Sequence, residues 1–227
     1  VALCAALLGV LLVLRRYAMI GDGLSHVGFG ALSVAYALNL APMAVAVPVV
    51  ILAAFLLLGL SGSRRLRGDS AIAVLSSSAL AFGVVANSLA GGSATDLSGY
   101  LFGSILTLTR ADVVLSVSLS AVVILLFVLF KNRIFAVTFD EPFAKSAGVR
   151  VGLYNGLLAL LIAVTVVVGM RIVGTMLISS LIIFPALGAM QLAGSFRGVV
   201  LLSALISVVS FLLGLLFAMT LPAGATI

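Results

Sequence analysis

Gly21-Asp22-Gly23-Leu24-Ser25-His26 is the stretch from which the other residues of this 227-residue chain are read. His26 is the only histidine, and Asp22 is the only acid set well inside an apolar run. Four residues apart, they share one face of a helix, one turn from each other. A carboxylate oxygen and an imidazole nitrogen both ligate first-row divalent metals. The flanking residues are apolar, and an ionisable group among them is costly. The plain reading has Asp22 capping a helix broken at Gly21 and His26 bonded to a backbone carbonyl. That both groups are unique and share a face favours a role in passing a metal or a proton. Spacing does not separate those two.

Composition sets the class. Hydrophobic residues make up 64% of the chain and charged residues 8%, against roughly 25% charged in a soluble domain. Such a chain cannot cover a soluble surface. Apolar runs of about 15–22 residues recur, which suits helices rather than barrel strands. The expectation is an all-α integral membrane protein, a polytopic helix bundle in one domain over 1–227. The net charge of +6 does not point to nucleic acid, because the basic residues lie in short loops between apolar runs. Cys4 is the only cysteine, so no intrachain disulfide forms, and it reads as a small buried hydrophobe.

About eight spans are expected, at 1–14, 17–40, 43–60, 70–90, 111–130, 151–170, 172–192 and 199–219. A helix over 17–40 is about 36 Å long, enough to cross with tilt. Counted from Arg16, Asp22 lies about 9 Å deep and His26 about 15 Å, near the midplane. Gly21, Gly23, Gly28 and Gly30 permit close helix packing, between the two copies' helices or with neighbouring helices. Pro48 and Pro185 fall inside spans, and Thr175, Ser179 and Ser180 are read as packing residues between helices. The segment 91–110 is the longest connection without an internal basic residue, and 100–108 within it suits a re-entrant or interfacial helix. Val1 opens inside an apolar run with neither a basic start nor a cleavage site, so no signal peptide is read there. Further residues are expected at both ends of the chain.

Orientation follows from the basic loops. Those at 15–16, 61–69, 131–150 and 193–198 alternate to one side and hold ten of the twelve Lys and Arg residues; only Arg110 and Arg171 fall opposite. The basic side is cytoplasmic by the positive-inside rule. No phosphate-binding P-loop, G-x-S-x-G elbow, HExxH or CxxC motif is present, nor an arginine ladder of a voltage sensor. One further segment stands out on the basic side, Phe139-Asp140-Glu141-Pro142-Phe143-Ala144-Lys145-Ser146-Ala147-Gly148. It is amphipathic, and its helix is expected to end at Gly148. It reads as an ordinary surface helix or as one on which a partner docks.

Residues 15–40, RRYAMIGDGLSHVGFGALSVAYALNL, resemble the signature region of the permease subunits of bacterial zinc and manganese ABC importers. The stretches LSGYLFGSIL at 97–106, TFDEPFAKSAGVRVGL at 138–153 and VGTMLISSLIIFPA at 173–186 resemble others of that family, so the likeness runs over nearly the whole chain. The chain departs from the family pattern at Gly23, where Ala is usual, and in Asp140-Glu141-Pro142, where Asp-Pro-Glu is common.

The resemblance implies a homodimeric permease in the bacterial plasma membrane, with a metal path between its two copies. Its partners are a separate cytoplasmic ATPase and an extracytoplasmic metal-binding lipoprotein. Asp22 and His26 are implied as the groups that meet the cation. The ATPase contact is implied for 131–150, with Phe139, Asp140, Glu141, Phe143, Ala144, Lys145 and Gly148 as coupling residues. No catalytic group and no resident cofactor are expected. The cargo is a divalent transition metal, zinc first, with manganese or iron as the other choices. One more helix is implied beyond Gly224. Two other readings stand beside this one: a siderophore- or cobalamin-type ABC permease, and a secondary transporter with Asp22 as its proton site.

Overall fold

The computed structural model describes residues 1–15, 17–60, 68–91, 103 and 110–218. Every regular element among them is a helix: α1 (Ala2–Leu14), α2 (Ile20–Ala37), α3 (Pro42–Leu60), α4 (Gly68–Leu89), α5 (Arg110–Phe139), α6 (Glu141–Ser146), α7 (Val151–Val173), α8 (Thr175–Leu192) and α9 (Phe196–Ala218). The expected membrane bundle is present. The count of eight spans is looser. Eight helices are long, but six of them, α3, α4, α5, α7, α8 and α9, are long and apolar enough to cross a membrane. The 13 residues of α1 are short for a ~30 Å core. The expected re-entrant segment at 100–108, the basic residues at 64, 65 and 67 and the turn at 221–224 lie outside the described residues.

Two helices make the centre. Residues Cys4 to Leu12 of α1 are all buried, enclosed by α5, α7, α8 and α9. Helix α7 is buried along most of its length. In lipid the apolar effect does not drive helices together, so close backbone approach and polar ties carry the packing. A Cβ on Gly9 of α1 would strike the backbone carbonyl of Ile182 in α8. The hydroxyls of Ser203 and Ser207 on α9 donate to the carbonyls of Ala6 (3.4 Å) and Ala2 (2.9 Å) on α1. Cys4 is buried, as read from sequence, with Sγ 3.5 Å from the Ser120 carbonyl of α5.

Four boundaries differ from the sequence expectation, each for a local reason. Helix α2 starts at Ile20 rather than at residue 17, because the chain leaves α1 through a turn in which Tyr17 N–H donates to Leu12 O and Ile20 N–H to Tyr17 O. It stops at Ala37 rather than at 40, where Asn39 takes a left-handed φ of 53° ahead of Pro42. Helix α5 does not end at 130. Phe127, Ile134 and Val137 stay buried at helical spacing while Lys131, Asn132 and Arg133 face out, so the helix runs 30 residues to Phe139. At 1.5 Å per residue that is about 45 Å, well beyond the ~30 Å hydrocarbon core. Between α7 and α8 the break falls at Gly174, with φ of +87°, and not at Arg171. The backbone of Gly103 packs so close to Val173 and Gly174 that neither of these turns has room for a side chain at Gly103.

The two ends of the bundle agree with the charge reading. Arg15 meets Thr138 of α5 and Asn155 of α7, and Asp112 at the far end of α5 meets Arg171 at the far end of α7. Among the described residues, the basic-side segments around 15, 135–155 and 196 thus come together in space.

Candidate metal site and coupling segment

Helix α2 packs against α3, α4, α7 and α8, and glycines set how closely. A Cβ on Gly30 would lie 2.6 Å from the carbonyl oxygen of Ala79 in α4; one on Gly83 would lie 2.9 Å from Gly30 Cα. Gly23 faces Ile72 of the same helix. Gly23 with Ile72 and Gly30 with Ala79 keep one sequence offset, so α2 and α4 run in the same direction. Gly21 faces Ile182 of α8, and Gly28 faces Met170 of α7 and Val50 of α3. All four glycines are therefore spent on packing within the chain. Of the two occupants expected for them, neighbouring helices of the same chain are the ones found.

At its N-terminal end α2 leaves open the line Met19, Asp22, His26, spaced three and four residues apart, and Val34 and Tyr36 are exposed nearer its C-terminus. The sequence expectation that Asp22 and His26 share a face holds. His26 Nε2 lies 3.6 Å from Asp22 Oδ2, with 20% of the histidine side chain and 36% of the aspartate side chain exposed. That separation is too long for a hydrogen bond. An ion about 2.1 Å from both atoms would see them at an angle of about 118°, close to the tetrahedral ~109°. Among the described residues His26 Nδ1 is buried without a hydrogen-bond partner. The backbone-bonded histidine of the plain reading is not present at that atom. Asp22 sits in the first turn of α2, where the helix dipole favours a negative charge.

Because α2 starts at Ile20, the pair lies only about 3 Å and 9 Å along the helix from its start, shallower than a continuous helix from Arg16 would place it. Among the described residues no group of three or more His, Cys, Asp and Glu comes together. One copy offers two ligands here. About a quarter-turn around α2 from the pair, Ser25 Oγ donates to Gly21 O at 2.8 Å and lies 3.2 Å from Ser179 Oγ of α8, which itself donates to Thr175 O. These hydroxyls tie α2 to α8, as their reading as packing residues expects.

The segment after α5 forms the expected short helix, α6. Asp140 caps it, accepting from Phe143 N–H at 2.9 Å, and Pro142 sits in its first turn. Gly148 at φ +78° closes it: Gly148 N–H donates to Lys145 O and Val149 N–H to Ala144 O, a Schellman arrangement. The candidate coupling residues divide by exposure. Phe139, Asp140, Glu141, Phe143, Lys145 and Gly148 face out, Phe143 at 66% exposed. Ala144 is 1% exposed and is the residue by which α6 seats on the bundle. It is corrected from a contact residue to a packing residue. Phe135 stacks on Phe139 one turn along the same helix (centroids 4.5 Å) and on Phe196 of α9 (4.3 Å), so the end of α5 is braced by α9.

Sequence reasoning missed two clusters. Arg15 donates from Nε to Thr138 Oγ1 (3.2 Å) and from Nη1 to Asn155 Oδ1 (2.7 Å). It lines a cavity of ≈ 620 Å³ with Tyr17, Phe55, Glu141, Gly152 and Asn155 among its walls. Burial pushes the guanidinium down from its usual value, and Glu141 and Tyr17 push it back up. At the other end, Arg171 binds Asp112 in two parallel contacts of 2.9 and 3.2 Å, beside an apolar cavity of ≈ 220 Å³ between α3, α5 and α7. Arg15 and Arg171 were legible only as markers of sidedness; the partners lie 123, 140 and 59 residues away.

Comparison with known proteins agrees with this architecture. The profile of the ABC 3 transport family matches residues 1–227. The manganese import system permease protein ScaB of Streptococcus gordonii is 30% identical over 100% of this chain and 82% of its own length. The high-affinity zinc uptake system membrane protein ZnuB of Buchnera aphidicola is 27% identical over 93% of this chain and 81% of its own. The solved structure of PsaBC from Streptococcus pneumoniae in complex with Fab superposes with a TM-score of 0.84 at 31% identity, over 99% of this chain and 82% of that one.

Proposed function

The chain belongs to the ABC 3 transport family, and from that premise we propose that it is the multi-pass permease subunit of an ATP-driven importer of a divalent transition metal, manganese or zinc, in the bacterial plasma membrane. The observation that carries the reading is the Asp22–His26 pair, at a metal-compatible separation on the open edge at the N-terminal end of α2. The pair supplies ligands and no chemistry, so the chain is no enzyme; hydrolysis belongs to a separate ATPase subunit. Sequence alone put zinc first. An Asp and a His suit manganese and zinc alike, and the more similar of the two named relatives is a manganese permease. Manganese therefore stands first here. The siderophore-type and proton-coupled alternatives lose their ground to the family match.

Two ligands do not close a metal site. The reading therefore includes a second copy of the chain across a two-fold axis along the open edge of α2, bringing another Asp22 and His26. A set shared across an interface breaks when the helices shift, which releases the ion. The extracytoplasmic lipoprotein delivers the metal at the Asp112–Arg171 end. The ATPase acts on the exposed face of α6, through Phe139, Asp140, Glu141, Phe143 and Lys145, with Gly148 holding the end of that helix.

Asp22→Asn and His26→Ala test the reading in the assembled complex in proteoliposomes, with manganese(II) and zinc(II) uptake measured separately. Loss of partners that merely orient a ligand costs about 10–100-fold in metal affinity, and loss of a ligand is expected to cost at least as much. Removing an intramembrane charge leaves stability equal or higher. Normal uptake in a well-folded variant of either kind refutes the proposed site.

A further inference from the structure

The chain from Thr138 to Asn155 is a hairpin. It leaves α5, forms α6 and returns as α7, and Arg15 holds both of its legs. One guanidinium bonds Thr138, two residues before the Asp140 cap, and Asn155, in the second turn of α7. Arg15 itself caps the C-terminus of α1 and opens the turn that leads into α2. Asp22 follows seven residues later. The guanidinium is planar and donates in a rigid fork, so it fixes direction as well as distance. Beside it lies the ≈ 620 Å³ cavity, walled by Arg15 and Tyr17 from the α1–α2 turn and by Thr138, Phe139 and Glu141 from the α6 end of the hairpin. The Arg15 fork gives a push on α6 a route inward that is polar and directional.

We propose that Arg15 is a positioning residue for transport: it transmits displacement of α6 to the α1–α2 turn and so to the Asp22–His26 pair. The inference rests on the docking reading above and adds to it the element that carries the motion. It predicts a specific defect. Without the fork, the ATPase docks and turns over, but the turn before α2 no longer follows it. Thr138 and Asn155 are the two legs of the link, and loss of either weakens it. Lysine at position 15 keeps the charge but satisfies one leg at a time, so it keeps part of the effect.

The test uses the full complex with its ATPase in proteoliposomes. The chain has no tryptophan, so Tyr17→Trp places its one indole in the cavity wall beside Arg15. The readouts are the ATP-induced change at Trp, the ATP hydrolysis rate, and the manganese(II) or zinc(II) transported per ATP. In Arg15→Met, hydrolysis is expected to stay within about twofold of the parent while the Trp response is lost and metal per ATP falls at least about fivefold. Asn155→Leu, which leaves the cation in place, is expected to show the same split in weaker form. It carries the test if Arg15→Met does not assemble. A full Trp response with unchanged metal per ATP in these variants overturns the inference alone. So does a parallel fall of assembly, hydrolysis and response in Asn155→Leu, which marks a structural role. No ATP response in the parent Tyr17→Trp complex overturns the docking reading, and this inference with it.

Discussion

Gly30→Ala probes the closest approach of the two helices that frame the candidate site. A Cβ at position 30 meets only backbone: Ala79 O at 2.6 Å and Ala79 C at 3.2 Å. Ordinary contact begins at 3.4 Å, so α4 has to withdraw by about 0.8 Å, and no flexible side chain is present to yield instead. Overpacking of this kind costs about 1–3 kcal/mol. The alanine returns about 0.5–1 kcal/mol of helix propensity. A net loss of up to about 2.5 kcal/mol remains, which for a chain of this size lowers the melting temperature by up to about 10 °C. Gly59→Ala is the matched control: it lies in the last turn of α3 with nothing within 4 Å of its Cβ, and it gains propensity at no steric cost. The assay is thermal unfolding of both variants in the same detergent. Because Gly23 meets Ile72 on the same face of α4, two turns earlier, Gly30→Ala is also expected to slow metal uptake, and Gly59→Ala is not. A Gly30→Ala protein as stable as the Gly59→Ala protein refutes the close α2–α4 contact and the framing of the site built on it.

Exposure separates the coupling residues: Phe143→Ala is expected to weaken copurification of the ATPase with little change in melting temperature, whereas Ala144→Leu, at a buried seat, destabilises by about 1–3 kcal/mol; equal effects of the two on ATPase capture contradict the division. Gly148→Ala forces a side chain into φ of +78° and is expected to cost about 1–2 kcal/mol, read as loss of amide protection across 141–148 by hydrogen exchange; unchanged protection argues against the closing turn at Gly148. For the second copy, a single Cys at Met19 in a Cys4→Ala background is expected to crosslink to its twin faster with manganese(II) or zinc(II) than with chelator. Metal-independent crosslinking of Met19→Cys speaks against a site shared by two copies.

Much of this protein was legible along the chain. Hydropathy sets the membrane class because a chain with so few charged residues has no other solvent. Sidedness could be counted from Lys and Arg, since the bilayer acts on each loop by itself. The shared face of Asp22 and His26 follows from helix geometry and needs no tertiary information. The helix ended by Gly148 is equally local, because a cap and a left-handed glycine are settled within a few residues. Tertiary structure decided what depends on neighbours. Gly21, Gly23, Gly28 and Gly30 suited close packing against another copy or against neighbouring helices, and only the positions of α3, α4, α7 and α8 assign them to the chain's own packing. Ala144 belongs to an amphipathic pattern whose buried side is known only once α6 has a bundle to lie on. Residues 131–139 look like a polar loop in one dimension and become helix because Ile134 and Val137 find a core. Arg15 finds Thr138 and Asn155 across more than 120 residues. No local rule couples positions that far apart; the contact exists because packing brings three helix ends to one point.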